Sequence, residues 1–400
     1  MLTAEGSRGR GALAGLVFGG AQRQAAAAAS VDASNGWDDF VGLAARWRVL
    51  ETARRRLETM EGVPNETRRR LHELSAAASA HSALTLHHAY AASALLENDG
   101  IATLAVKGVA AIVQLYATPA ARLVSDFDCF IAEKDAREAE RVLLAAGFAC
   151  ENVPFDAHMR DIEMSPRLHN LARTYTRDGF ELDVHWRLGS KPPRPLRTQT
   201  LFERSSTIAL RGKTLRVPHP VDAQLLTVHH AMRSSFSPST TLKDLTDLAA
   251  WWERKPDAWE PRELIVAAIE SGLGASLLAL WQIVVTRDPA HPAAAGAREL
   301  NRTLSPAQRR EAERLHKFFE AQLTRGDYAT RTTELFSPQL LANRAIAGML
   351  GQPAQPALRA TFGARGAGFL RRSWRIACEL ADVRQLRAYA AVARAQRRFR

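Results

Sequence analysis

Hydrophobic periodicity changes once along this chain, and that change limits the fold more than any other feature. Over most of the sequence the apolar residues recur at helical spacing. Between residues 101 and 188 they shift to short runs and strict alternation. A period near 3.6 belongs to helices with one buried face, and a period of two to half-buried strands. The predicted fold is therefore α+β, a small mixed sheet embedded in a largely α-helical chain.

The helical texture begins at Trp37. Trp37, Phe40, Val41, Ala44 and Trp47 follow i, i+3, i+4 spacing. The triplets Arg54–Arg56 and Arg68–Arg70 alternate with Glu51, Glu58, Glu66 and Glu73, the pattern of a solvated, ion-paired helix face. Asn98-Asp99-Gly100 closes this part with turn chemistry. Ile101–Val106 reads as a short buried strand, Ala110–Tyr116 as a helix, Asp126–Ile131 as a strand and Asp135–Ala146 as an amphipathic helix. Phe180, Leu182, Val184 and Trp186 then alternate with Glu181, Asp183 and His185. Thr207–Val217, centred on Gly212-Lys213, has hairpin character, and helices resume from Pro220. Ser305-Pro306 is a helix start, with serine as cap and proline at the first position.

These textures divide the chain into a disordered leader (1–36), an N-terminal helical segment (37–98), an α/β core (99–218), a helical domain (219–300) and a basic C-terminal region (301–400). The leader is expected to lack packed structure because Gly11–Ala21 holds four glycines and Ala25–Ala29 is a homopolymer run. No apolar run approaches the roughly 20 residues that a membrane span needs; Ala275–Val285 is interrupted by Gln282. The three cysteines, Cys129, Cys150 and Cys378, lack metal-site spacing and are too few for a disulfide framework, which points to a reducing cytoplasm.

The formal net charge of +12 suggests a polyanionic partner until it is located. Residues 101–190 carry ten basic and thirteen acidic side chains, a net of −3. Residues 301–400 carry nineteen and seven, a net of +12. Basic composition is thus a property of the C-terminal region and not of the α/β core.

Within the α/β core the carboxylates are the residues with chemical content. On a strand Asp126 and Asp128 point to one face, roughly 6.6 Å apart along the chain. Two acids so close repel unless a cation lies between them. Hard oxygen ligands at this spacing suit Mg²⁺, which binds through one or two carboxylates together with substrate phosphates. An exposed edge strand with solvated acids has the same pattern. Asp183, on the polar face of the second strand beside His185, offers a third carboxylate if the two strands are neighbours. Three could hold the ions of a phosphoryl displacement.

These residues stand in a familiar order: Val106-Lys107-Gly108, Tyr116 with Pro119, Arg122, Ser125-Asp126-Phe127-Asp128, and Leu182-Asp183-Val184-His185-Trp186. From about Trp37 to Leu280 the chain resembles the uncharacterised nucleotidyltransferase family of bacteria. That family is a branch of the DNA-polymerase-β-like nucleotidyltransferase superfamily, similar also to abortive-infection toxin nucleotidyltransferases. The resemblance extends to Asp222, Leu225-Leu226 and His230, and to Leu242 and Asp247.

The resemblance implies Mg²⁺-dependent transfer of a nucleotidyl group from a nucleoside triphosphate such as ATP to an acceptor hydroxyl. It implies that Asp126, Asp128 and Asp183 hold the metal, with Asp183 activating the acceptor. It also implies that Lys107, Gly108, Arg122, Ser125 and His185 face the nucleotide. Gly108 would let the backbone approach the phosphates, and Lys107 and Arg122 would neutralise them. The wider superfamily has a serine after the glycine; this chain has Val109 there, and the charge of Lys107 does not replace that hydroxyl one for one. The acceptor has no signature: a tRNA 3′ end, a protein side chain and a small molecule all remain. His185 would orient Asp183 or touch substrate. Lys243 and Asp247, four apart on a helix, would pair with each other, or Asp247 would position the helical domain.

A second function class rests on other residues. Residues 359–400 hold eleven arginines against Glu379 and Asp382, with Trp374, Tyr389 and Phe399 interleaved. Such a segment suits a nucleic-acid backbone or an anionic surface, and would serve a binding or scaffold protein with a vestigial transferase site.

Overall fold

The structure, a computed structural model, describes residues 4–34, 36–150, 155–156, 159, 172–188, 194–233, 238–254 and 259–325. Two helices open the chain, α1 (Ala4–Phe18) and α2 (Ala21–Asp32). They replace the disordered leader expected over residues 1–36. Ala12, Leu13, Ala14, Leu16, Val17 and Phe18 are all buried, because the second half of α1, from Gly11 on, has no polar side chain on any face and has to lie inside a core. The glycines that suggest looseness allow close approach instead: a Cβ on Gly15 would stand 3.3 Å from the Cβ of Ala27 on α2.

Helices α3 (Trp37–Arg46), α4 (Leu50–Glu58) and α5 (Asn65–Asn98) follow. The predicted stripe holds, with Trp37, Phe40, Val41, Ala44 and Trp47 buried. The arginine triplets supply ion pairs as expected, Arg54 and Arg55 on Glu51 and Arg69 on Glu66 and Glu73. The 34 residues of α5 span about 51 Å. Leu71 near its start packs in the helical core, whereas Leu86, Ala89 and Leu96 pack under the sheet.

The sheet has five strands: β1 (Leu104–Ala105), β2 (Asp126–Phe130), β3 (Ala149–Cys150), β4 (Ala172–Arg177) and β5 (Phe180–His185). Their order is β1-β2-β5-β4-β3. The β2–β5 pair is parallel and the others are antiparallel, so the sheet is mixed as predicted. Between β1 and β2 lies helix α6 (Lys107–Ala111), which runs into a π-turn over Ile112–Tyr116. Helix α7 (Ala136–Ala145) follows β2. Phe127, Cys129, Tyr175, Leu182 and Val184 form one core with the second half of α5 and with α7. That leaves the opposite sheet face to the polar residues.

The remaining described elements are helix α8 (Thr198–Glu203), the hairpin β6 (Ser206–Leu210) and β7 (Lys213–Val217), and six helices. These are α9 (Pro220–Arg233), α10 (Pro238–Arg254), α11 (Pro261–Glu270), α12 (Gly274–Arg287), α13 (Ala293–Thr303) and α14 (Pro306–Arg325). Arg211 and Gly212 both take positive φ in the hairpin turn, the conformation that a two-residue loop favours. At the start of α14 the Ser305 hydroxyl accepts from the Gln308 N–H, and the Gln308 side chain accepts from the Ser305 N–H. Helix α14 packs on α12 and α1. The helical core therefore extends to residue 325 rather than ending at 300. Residues 359–400, the predicted polyanion-binding segment, lie outside the described residues. Among the described residues no helix is long and apolar enough to cross a membrane.

Candidate active site

The parallel register of β2 and β5 builds the site. It sets Asp126 opposite Glu181, Asp128 opposite Asp183 and Phe130 opposite His185. Because side chains alternate, all of these residues emerge on the face left free by the apolar core. Phe130 belongs to the helical core, so the polar face ends against the helical domain, and the His185 ring lies 5.4 Å from that of Phe130.

Two overlapping ligand groups result. Asp128, Asp183 and His185 bring one donor atom each to within 4.8 Å of one another, and so do Asp126, Glu181 and Asp183. Asp183 is common to both. Oxygen donors, with one imidazole, fit a hard divalent cation.

Within the inner group Asp128 is 4% exposed. Its Oδ1 takes contacts from the Lys107 Nζ and from the His185 Nε2, the latter at 2.8 Å. Burial alone would raise its pKa, but the charge of Lys107 and the contacts of both partners outweigh it and hold the carboxyl well below the usual range. Asp183 behaves oppositely. Burial and the charge of Asp128 raise its pKa, against a hydrogen bond at 2.5 Å from the Thr174 hydroxyl on β4. Two neighbouring acids thus differ in environment, one held ionised and the other biased toward taking a proton.

Lys107 reaches Asp128 from the first residue of α6, where its φ is +53°. Few non-glycine residues adopt this conformation, and it needs support from its surroundings. The Val106 N–H donates to the Asp128 carbonyl oxygen at 3.0 Å on one side. On the other, a Cβ on Gly108 would fall 2.4 Å from the Val124 Cγ1. The glycine is required by Val124, a packing reason separate from the phosphate approach expected of it. The Ser125 hydroxyl lies 3.3 Å from the Asp126 Oδ1, within the site.

The structure thus brings together Asp126, Asp128, Asp183, His185, Lys107, Gly108 and Ser125, and leaves out Arg122. That guanidinium is 5% exposed and forks onto Asp247, with Nε–Oδ1 and Nη2–Oδ2 both at 2.8 Å, while Nη1 donates to the Leu123 carbonyl. The Tyr116 hydroxyl donates to the same Asp247 at 2.9 Å. Arg122 is therefore a buried bridge between the α/β core and α10, with no free edge for phosphate. Asp247 is thus held directly by Arg122 and Tyr116, and Lys243 feels its charge at longer range. His185 orients Asp128 rather than Asp183. His230 contacts Asp244 at 2.8 Å inside the helical domain.

Sequence reasoning missed Glu181 and Thr174. Alternation already places Glu181 on the polar face with Asp183, but nothing in the sequence singles out Thr174. A cavity of about 310 Å³ lies elsewhere, lined in part by Arg56, Tyr116, Glu253 and His291, and includes none of Asp126, Asp128, Glu181 and Asp183.

Neither a curated protein nor a solved structure matches the chain. The sequence profile of one family, described as "Uncharacterised nucleotidyltransferase", matches residues 33–286. This span contains both strands of the carboxylate face, the Lys107-Gly108 turn, Arg122 and its partner Asp247. Two independent lines, the arrangement of acids on β2 and β5 and the profile match over more than half of the sequence, therefore converge, and the chain belongs to the uncharacterised nucleotidyltransferase family.

Proposed function

We propose that the protein transfers a nucleotidyl group from a nucleoside triphosphate, such as ATP, to an acceptor hydroxyl, at a Mg²⁺ site on Asp126, Asp128 and Asp183. One observation carries this reading: the parallel register sets Asp128 beside Asp183 and gathers two overlapping sets of hard donors on one sheet face. When bound, Mg²⁺ supplies charge neutralisation for the triphosphate and for the oxygens that attack and leave.

The residues then divide the remaining work. Asp126 and Asp128 fix the position of the triphosphate, and His185 holds Asp128 in orientation. The acceptor hydroxyl oxygen forms a bond to the α-phosphorus as the bond to the bridging oxygen breaks and pyrophosphate departs. Asp183, the carboxylate common to both donor groups, receives the hydroxyl proton. Lys107 and Ser125 contact the phosphates. Arg122 takes no part in that contact and holds α10 against the core. The acceptor class is left open between a tRNA 3′ end, a protein side chain and a small molecule.

The test is incubation of the full chain with each labelled triphosphate and Mg²⁺ in cell lysate, followed by identification of the labelled species. Transfer should need Mg²⁺ and should fall by at least about a hundredfold in Asp126→Asn, the scale on which loss of preorganised transition-state stabilisation is felt. Activity unchanged by Asp126→Asn would remove the metal role assigned to that residue.

A further inference from the structure

We propose that Lys107 is a resident stand-in cation: its ammonium neutralises Asp128 while the site is empty, and an arriving divalent ion displaces it toward the phosphates. This rests on the metal site proposed above and adds an order of events and a competitor to it.

The argument starts from one carboxylate. Lys107 and His185 both act on the Oδ1 of Asp128, a residue of the inner ligand group. A carboxylate buried as deeply as Asp128 needs a partner charge, since an isolated buried ion is strongly disfavoured. A divalent cation on that oxygen would be within a few ångströms of the ammonium, and like charges at such range in a half-buried site repel strongly. The two therefore compete for the same place.

Lys107 is built for exchange. Its head reaches a buried acid, yet its side chain is 33% exposed against 5% for that of Asp128. Its stem thus has room to swing, and four rotatable bonds allow a new position without moving the backbone. The backbone itself is pinned in the positive-φ region by the contacts of Val106 and Gly108. The ammonium consequently stays close to the carboxylates after release, where the triphosphate of an incoming nucleotide would meet it.

The test uses Mn²⁺ alone as the probe, added to the full chain without nucleotide and followed by the resonance signal of the free ion. Lys107→Asn removes the charge and keeps a residue type that tolerates positive φ; Lys107→Met repeats the charge removal with an apolar chain. Both should bind Mn²⁺ more tightly than the wild type, on the order of tenfold, the loss of one competing unit charge. Equal or weaker binding in both overturns the proposal. A second measurement needs no variant: acylation of Lys107 in the wild type, followed by mass spectrometry, should speed up several-fold when Mn²⁺ is added. A rate unchanged or lowered by Mn²⁺ overturns the displacement. Asp128→Asn separates the two levels. Mn²⁺ binding that survives this substitution at full strength would sink the metal site itself. Binding that it abolishes, with no tightening in the Lys107 variants, sinks only the stand-in role.

Discussion

Gly108 is the position where a single methyl group decides between two explanations. A Cβ there would meet the Val124 Cγ1 at 2.4 Å, well inside contact distance, so backbone or core has to shift. Gly108→Ala should destabilise the protein by about 1–3 kcal/mol, the usual cost of overpacking, and should move Lys107 off Asp128. Trimming the obstacle in the double variant Gly108→Ala/Val124→Ala should restore part of the melting temperature. A glycine retained only for phosphate approach would leave the melting temperature of Gly108→Ala unchanged. Strand alternation by itself makes Asp126 legible with Asp128, and Glu181 with Asp183, and the parallel pairing of β2 with β5 joins the two pairs into one polar face. The burial of Arg122 is not legible in that way. Its partner Asp247 lies 125 residues away, and a charged residue a few positions before an Asp-x-Asp pair looks the same in sequence whether it faces solvent or a buried acid.

Among the elements, α1 separates composition from packing most sharply. Glycine and alanine in a short run are the usual mark of a chain with too little apolar area to fold, and on that basis residues 1–36 are expected to stay unpacked. The decisive detail is Gly15, whose missing side chain lets α2 approach at Ala27, while Leu13, Leu16 and Phe18 are buried in the core. Leu13→Ala should therefore cost about 2–5 kcal/mol, as for a fully buried leucine elsewhere, seen as a lower midpoint in denaturant. A midpoint equal to the wild type would return this segment to the status of a leader. The amphipathic helices are easier to read: Trp37–Trp47 shows one stripe and buries it, because a polar face gives the periodicity its contrast.

For the whole molecule, the Arg122–Asp247 fork is the most exposed to a single change. It ties the carboxylate-bearing core to α10 through two buried charges, and Tyr116 adds its hydroxyl to the same acid. Removal of one partner leaves the other buried without compensation. Arg122→Met should cost about 3–5 kcal/mol, whereas Arg122→Met/Asp247→Leu should recover much of it. A loss in the double variant equal to the sum of two single losses would show that the charges do not act as a pair. The resemblance carried by the motifs extends through both partners, but which residue meets which is set by how the helical domain lies against the core, and a linear pattern does not contain that.

The pairing of β2 with β5 has a further consequence, for how errors in assembly are handled. The acids and the core residues alternate on the same two strands, so a slip of either strand by one position would turn its acid, Asp128 or Asp183, inward and present its core residue, Phe127 or Leu182, to water. A form shifted by one position could not keep its core while losing the shared acid face. A chain with either strand slipped by one position would expose an apolar side chain to proteolysis by the same fault that scatters its acids, so intact molecules should contain few in which the acids of β2 and β5 face opposite ways.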